Sequence, residues 1–310
     1  MNDLTVEKIQ EKPKGFFEIV IERFLEHRLA VASIFVIFIF CAVAAGADLI
    51  SFLLNITPND QEILNRFGPM TAEHLLGTDE VGRDVLIRLI YGARVSLLVA
   101  FVSAIASTVI GIVVGTAAGY FGGVIDTVLM RITDALLALP LMPVLIILAA
   151  IDLAKIPGIR DWVSDENSSI VKMILIFVVF SWMTQARLVR GAILSLREHD
   201  FVLAAKTMGQ SAMRIMYIEM LPNVISPVIV SVTLSVGQNI LFEAALSFLG
   251  LGIQPPTPSW GNMLNNAIEL VYSAPWLVVI PGLLIFMVVV SFNFLGDGLQ
   301  DALDPKAIRI

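Results

Sequence analysis

The chain is poor in the features that mark a soluble, catalytic or nucleic-acid-binding protein. It has one cysteine, Cys41, among 310 residues, which excludes a disulfide framework. Only 15% of its residues are charged, against about 25% in soluble domains. The 27 acidic and 20 basic side chains leave a net charge of −7, the wrong sign for a nucleic-acid binder. A phosphate loop of the form G-x-x-x-x-G-K-[ST] is absent: Lys206-Thr207 is the one Lys followed by Ser or Thr, and Ala205 stands where glycine should be. His27, His74 and His199 lie far apart without zinc-type spacing, so no metal or other cofactor is expected. Neither a G-x-S-x-G elbow nor a pair of catalytic groups emerges, so the chain is not expected to be an enzyme.

What it has in abundance is apolar sequence, 57% of all residues. A bilayer core about 30 Å thick is crossed by around 20 apolar helical residues, and unpaired backbone cannot face lipid. Six runs qualify: 29–47, 95–118, 128–151, 170–189, 224–246 and 276–294. The fourth is trimmed by Lys172 and Arg187, whose long side chains can snorkel to the interface. These runs predict an all-α membrane protein of six transmembrane helices. Ala42-Val43-Ala44 would suit signal-peptide cleavage, but the preceding 28 residues mix acidic and basic groups, unlike a short positive leader. The first run is therefore read as a retained span.

Basic residues favour the cytoplasmic side. With the N-terminus inside, Arg66, Arg83, Arg88, Arg94, Lys155, Arg160 and Lys172 fall outside, and the other thirteen of the 20 fall inside. Among these are Lys8, Lys12 and Lys14 at one end and Lys306 and Arg309 at the other. Both termini are expected in the cytoplasm of a multi-pass protein. The expected organisation is a cytoplasmic segment with an amphipathic helix (1–28), a leading helix with an external loop (29–94), a five-helix body (95–296) and a cytoplasmic tail (297–310). Residues 15–28 fit an interfacial helix and a plain extension of the first span equally well.

Within the spans, Gly111, Gly115 and Gly119 recur at every fourth position and bare one helix face for close packing. Arg131 and Asp134, three apart, are expected to pair with each other rather than act as a gate. Glu243 either faces a pathway or bonds a neighbouring helix. Pro140 and Pro143 predict a kink in the third span.

The long loop from Arg187 to Pro222 is expected to form two short helices. Asp200 would cap the first, Phe201, Ala204, Ala205 and Met208 would form its apolar face, and Gly209 would end it in a left-handed cap. Ser211 would start the second. Too short to be stable alone, these helices need a partner surface. Here Ala204-Ala205, Gly209 and Leu221-Pro222 resemble the EAA loop of bacterial ABC importer permeases. Leu203 and Glu219 depart from that pattern at its Glu and Ile positions. Two further stretches, HLLGTDEVGRDVLIRLIYGARVSL (74–97) and EAALSFLGLGIQPPTPSWGNML (243–264), resemble the dipeptide, oligopeptide and nickel branch of the family.

The resemblance covers about residues 29–304. It implies a type I ABC importer permease fold in a bacterial inner membrane and pairing with a second homologous permease. It also implies one or two ABC ATPase subunits and an extracytoplasmic substrate-binding protein. Ala204, Ala205 and Gly209 would then form the ATPase contact, and Leu221 and Pro222 would join it stiffly to the fifth span. Peptide is the first cargo implied, with nickel and other solutes open. The alternative from another class is an ion-coupled secondary transporter or channel that uses the intramembrane charges.

Overall fold

The computed structural model describes residues 15–151 and 167–304. Lys8, Lys12, Lys14, Lys155, Arg160, Lys306 and Arg309 lie outside the described residues. Among those described, no strand forms, and the backbone is helix joined by short turns and two structured loops.

Helix α1 (Phe16–Glu26) packs against the last helix of the chain and is separated from α2 (Arg28–Ala45) at His27. There the backbone leaves helical geometry, at φ −83° and ψ 82°, and the His27 ring caps α2 by accepting the Ala30 amide at 3.1 Å. A plain extension of the first span is thereby excluded. Gly46 then ends α2, and α3 (Ala47–Leu54) follows before a long loop, residues 55–84.

Helix α4 (Val85–Phe121) is 37 residues long and begins ten residues before the apolar run does. The reason is local: the Asp84 carboxylate caps it, accepting the Ile87 amide at 2.8 Å, and the folded loop before it covers its first turns. At about 1.5 Å per residue it is far longer than a bilayer core is thick. The third span is not one kinked helix. Helices α5 (Gly123–Leu137) and α6 (Leu141–Ala149) meet at an 82° bend at Pro140, which cannot donate to the helical ladder. Helix α7 (Ser168–Leu196) follows, and Lys172 donates to the Ala149 carbonyl at the end of α6 at 2.8 Å instead of only reaching the interface.

On the far side of α7, α8 (Asp200–Thr207) is a free-standing short helix. Its N-cap is His199, and Asp200 sits in the first turn without a capping bond, where its charge still suits the helix N-terminus. The second short helix is not separate. Helix α9 (Ala212–Arg214), a wide π turn (Ile215–Met220) and a tight 3-10 turn (Leu221–Val224) run directly into α10 (Ile225–Phe248). Pro222 accounts for the change of winding, because its missing N–H interrupts the ladder at that point. After a second folded loop come α11 (Ala267–Ser273) and α12 (Trp276–Leu303). Among the described residues, five helices are long and apolar enough to cross a membrane, and the bent pair α5–α6 makes a sixth if it is one span.

Helix α4 is the central post. Its broadest contact is with α7, while α10 and α2 flank it and α12 closes the other side. The seam with α7 is lined by the glycines. A Cβ on Gly111 would lie 2.9 Å from the Trp182 carbonyl oxygen, one on Gly115 2.5 Å from that of Ala186, and one on Gly119 3.0 Å from that of Arg190. Backbone meets backbone along three turns, an approach that only glycine allows.

Candidate functional site

Three groups of side chains stand out, one at each end of the bundle and one at mid-depth.

At one end of the bundle, α8 is held by a small core of its own. Val202 and Ala205 bury against Val189 and Ile193 of α7 and against Ile215, Met220 and Val224. Lys206 adds a cation–π contact over the Tyr120 ring at the end of α4, 5.5 Å from the centroid. Gly209, at φ +75°, closes the helix in a Schellman cap, with its own amide on the Lys206 carbonyl and the Gln210 amide on that of Ala205. The motif is therefore divided. Ala205 is 2% exposed and faces inward, so it is not part of an outward contact, whereas Ala204 and Gly209 are exposed. Beside them lie Phe201, Leu203, Met208 and Met213, all exposed apolar side chains. Leu221 and Pro222 sit in the 3-10 turn at the root of α10.

At the opposite end of the bundle lie the two folded loops. In the first, Asp79 accepts the Val81 and Arg83 amides and the Arg83 guanidinium, while Arg88 lies 3.5 Å from the same carboxylate and donates to the Pro58 carbonyl. His74 meets Asp84 at 2.9 Å. Gly77 and Gly82, at φ +74° and +80°, supply the left-handed positions this loop needs. Asp60, farther out, is held below the usual carboxylate range by bonds from Thr57. In the second loop, Trp260 is wholly buried and donates to the Leu89 carbonyl at 3.0 Å, and its amide reaches the Ser96 hydroxyl at 3.3 Å.

Glu243 belongs to this knot. It is 0% exposed and accepts from Ser96 of α4 at 2.8 Å and from Ser247 at 2.7 Å. One of the two roles open to it, bonding a neighbouring helix, has its bond in the Ser96 contact. Glu243→Gln retains the volume, and hydroxyls can turn from donor to acceptor, so uptake and yield are expected to stay within about twofold. Glu243→Leu strands the hydroxyls and is expected to cost about 1–3 kcal/mol, read as earlier thermal unfolding of the purified protein. A transport defect in Glu243→Gln at normal yield would put the carboxyl back on the transport route.

At mid-depth the expected pair is not formed. Asp134 bonds Arg187 of α7, with Nε at 3.1 Å, and Arg131 is not its partner. Nearer the start of α5, Asp126 takes Arg190 with both carboxylate oxygens, Nε lying 2.9 Å from Oδ1 and Nη2 bonding Oδ2, whereas Arg187 places both nitrogens on one oxygen of Asp134. The antiparallel course of α5 and α7 decides these pairings, and spacing along one helix could not reveal them. Between α7 and α10 runs an uncharged ladder: Gln185 donates to Ser235 at 3.0 Å, and Ser181 faces Asn239 at 3.4 Å. Neither pair drew notice in the sequence, because single Ser and Asn residues in apolar runs carry no pattern.

Comparison with known proteins follows the same lines. A family model described as binding-protein-dependent transport system inner membrane component matches residues 107–309. The dipeptide transport system permease protein DppC of Alkalihalophilus pseudofirmus is 41% identical over 281 residues, 91% of this chain and 87% of that protein. DppC of Escherichia coli is 45% identical over 233 residues, 75% of this chain and 73% of that protein. The oligopeptide transport system permease protein OppC of Bacillus subtilis is 33% identical over 300 residues, 97% and 93% of the two chains. Among solved structures, the MetNI methionine ABC transporter in an inward facing conformation has a chain of similar fold. The TM-score is 0.53 at 19% identity, covering 71% of this chain and 98% of that one.

Proposed function

We infer the function from one premise: the chain belongs to the family of binding-protein-dependent transport system inner membrane components. It is a multi-pass inner membrane permease subunit of an ABC importer, a transport component whose ATP hydrolysis resides on a separate chain. The family implies a partner permease, an ATPase and a binding protein. Peptide is the proposed cargo, because relatives that span most of its length are named for dipeptide and oligopeptide transport.

The observation that supports ATPase coupling is the form of the inner end. Helix α8 is braced from behind by its own buried core while its front carries Ala204, Gly209 and a rim of exposed Phe201, Met208 and Met213. An exposed apolar rim around small residues is a surface that excludes water only when another protein covers it. Leu221 and Pro222 tie this front to α10, so a push on α8 is delivered to a helix that crosses the bilayer. The remaining assignments follow the same reading: both termini in the cytoplasm, the glycine seam as a packing device, and residues 95–296 as the five-helix transmembrane domain.

The test is reconstitution. Vesicles holding this chain, its partner permease and the ATPase, supplied with the binding protein, are expected to accumulate a labelled dipeptide only when ATP is present. Omission of the ATPase should reduce uptake to background. Accumulation by this chain alone, driven by an ion gradient, would instead establish the ion-coupled transporter.

A further inference from the structure

At mid-depth, where α5 breaks from α6, α7 and α10 enclose a recess of about 100 Å³. Liquid water takes about 30 Å³ per molecule, so the space is on the scale of one peptide group rather than of a whole peptide. Its polar lining is Ser181 and Thr184 from α7 and Ser235, Gln238 and Asn239 from α10, and the rest is leucine, methionine and phenylalanine. No lining residue is ionisable.

Several independent features mark this face as one that does not meet lipid. Thr184 and Gln238 are exposed although they lie in the middle of apolar spans. The Asp134–Arg187 pair lies on the same α5–α7 face, with both side chains about half exposed. Polar and charged groups at membrane depth face a protein interior or water, because hydrocarbon offers them no partner. Helix α2 shows the contrast: its outward side chains are Ile34, Phe35, Phe38 and Ile39. The non-helical backbone at the α5–α6 break has the same requirement, since irregular main chain within a bilayer is tolerated only under protein cover or beside a water-filled cavity. A second sign of unfinished bonding is Gln185, wholly buried one turn along α7 from Ser181. Its Oε1 has no hydrogen-bond partner among the described residues.

We propose that this recess, with the exposed Gln238 and Thr184 as its readers, is a station on the transport path that holds one peptide group of the cargo by its main-chain N–H and C=O. The inference rests on the peptide-importer reading and narrows it. Carboxamide side chains present a donor and an acceptor together, the complement of an amide unit, and hydroxyls can serve as either. Main-chain amides are common to all peptides, so a site built only of such groups passes cargo of any side-chain charge. A carboxylate or guanidinium in the lining would instead sort it. The leucines and phenylalanines around them accept apolar side chains without specific geometry.

The experiment uses the complete importer in vesicles, with lysyl-alanine and aspartyl-alanine as probes. The double variant Thr184→Val with Gln238→Leu alters two exposed side chains and should assemble normally. Its uptake of both dipeptides is expected to fall by the same factor, about fivefold or more. Unchanged uptake, or a fall confined to one charge type, overturns the proposal.

A second measurement does not depend on transport. In a Cys41→Ala background, Gln238→Cys introduces a single thiol. A hydrophilic, membrane-impermeant thiol reagent on the open side is expected to modify it in the assembled complex, and either dipeptide under turnover should slow the modification. A thiol inert in both nucleotide-free and nucleotide-trapped complexes means that lipid or the partner permease covers the face, and the proposal is lost. If the unaltered importer accumulates neither dipeptide while the thiol reacts, the peptide reading itself has failed, and the ligand named here goes with it.

Discussion

Gly115→Ile is expected to remove this protein from the membrane as a folded species. A Cβ at that position would meet the Ala186 carbonyl oxygen at 2.5 Å, the Val189 Cβ at 2.8 Å and the Arg190 amide nitrogen at 3.0 Å. Two of these obstacles are main chain, which cannot rotate away as a side-chain tip can. Adding methylenes to a core that can adjust costs about 1–3 kcal/mol, and a seam made of backbone adjusts less. Helices α4 and α7 would have to part, and theirs is the most extensive contact in the bundle. In size-exclusion profiles of detergent extracts, less than about a tenth of the normal monodisperse peak is expected. Gly191→Ala provides the control on the same pair of helices: nothing lies within 4 Å of a Cβ there, so its peak should match the wild type. A normal peak from Gly115→Ile would show that α4 and α7 are not in backbone contact.

The second large effect is expected at the inner end, where uptake should collapse without loss of protein. Gly209→Val would be an ambiguous choice, because φ is +75° and a β-branched residue is strained there whether or not anything docks. Ala204→Trp is cleaner, since Ala204 is exposed on α8 and bears no load within the chain. A bulky ring on the proposed contact surface should lower ATP-driven uptake by about twentyfold or more and release the ATPase during purification. A loss of this order corresponds to about 2 kcal/mol or more, the scale of an interface hot spot. Gly209→Asn, which tolerates the left-handed conformation, should retain most activity. Normal uptake by Ala204→Trp would leave α8 without a coupling role.

Local chemistry made much of this architecture readable from sequence, and long-range geometry hid the rest. Each of the six apolar runs overlaps a helix long and apolar enough to cross a membrane or the bent pair, because lipid demands length and apolarity from every span independently. Gly209 could be placed at a helix end because a left-handed position favours glycine. The start of α4 at Val85 was invisible to hydropathy, since it is set by Asp84 and by a loop that folds back over Arg88. Asp134 and Arg131 have the spacing of a partnered pair, yet an arginine 53 positions away in sequence takes the carboxylate. Ala205 reads like its neighbour Ala204, and only the core behind α8 reveals that one faces in and the other out. The knot of Glu243, Ser96 and Trp260 joins parts of the chain far apart in sequence, so its motifs could be recognised without their purpose being visible.

The wide turn at Ile215–Met220 followed by the tight one at Leu221–Val224 bears on how motion reaches α10. A uniform α-helix transmits rotation and translation together, as a screw does. A π turn holds one residue in surplus, and releasing it to α geometry advances the following helix by one residue, about 1.5 Å of travel with about 100° of rotation. Such a release between α8 and α10 would turn the face bearing Gln238 relative to α8.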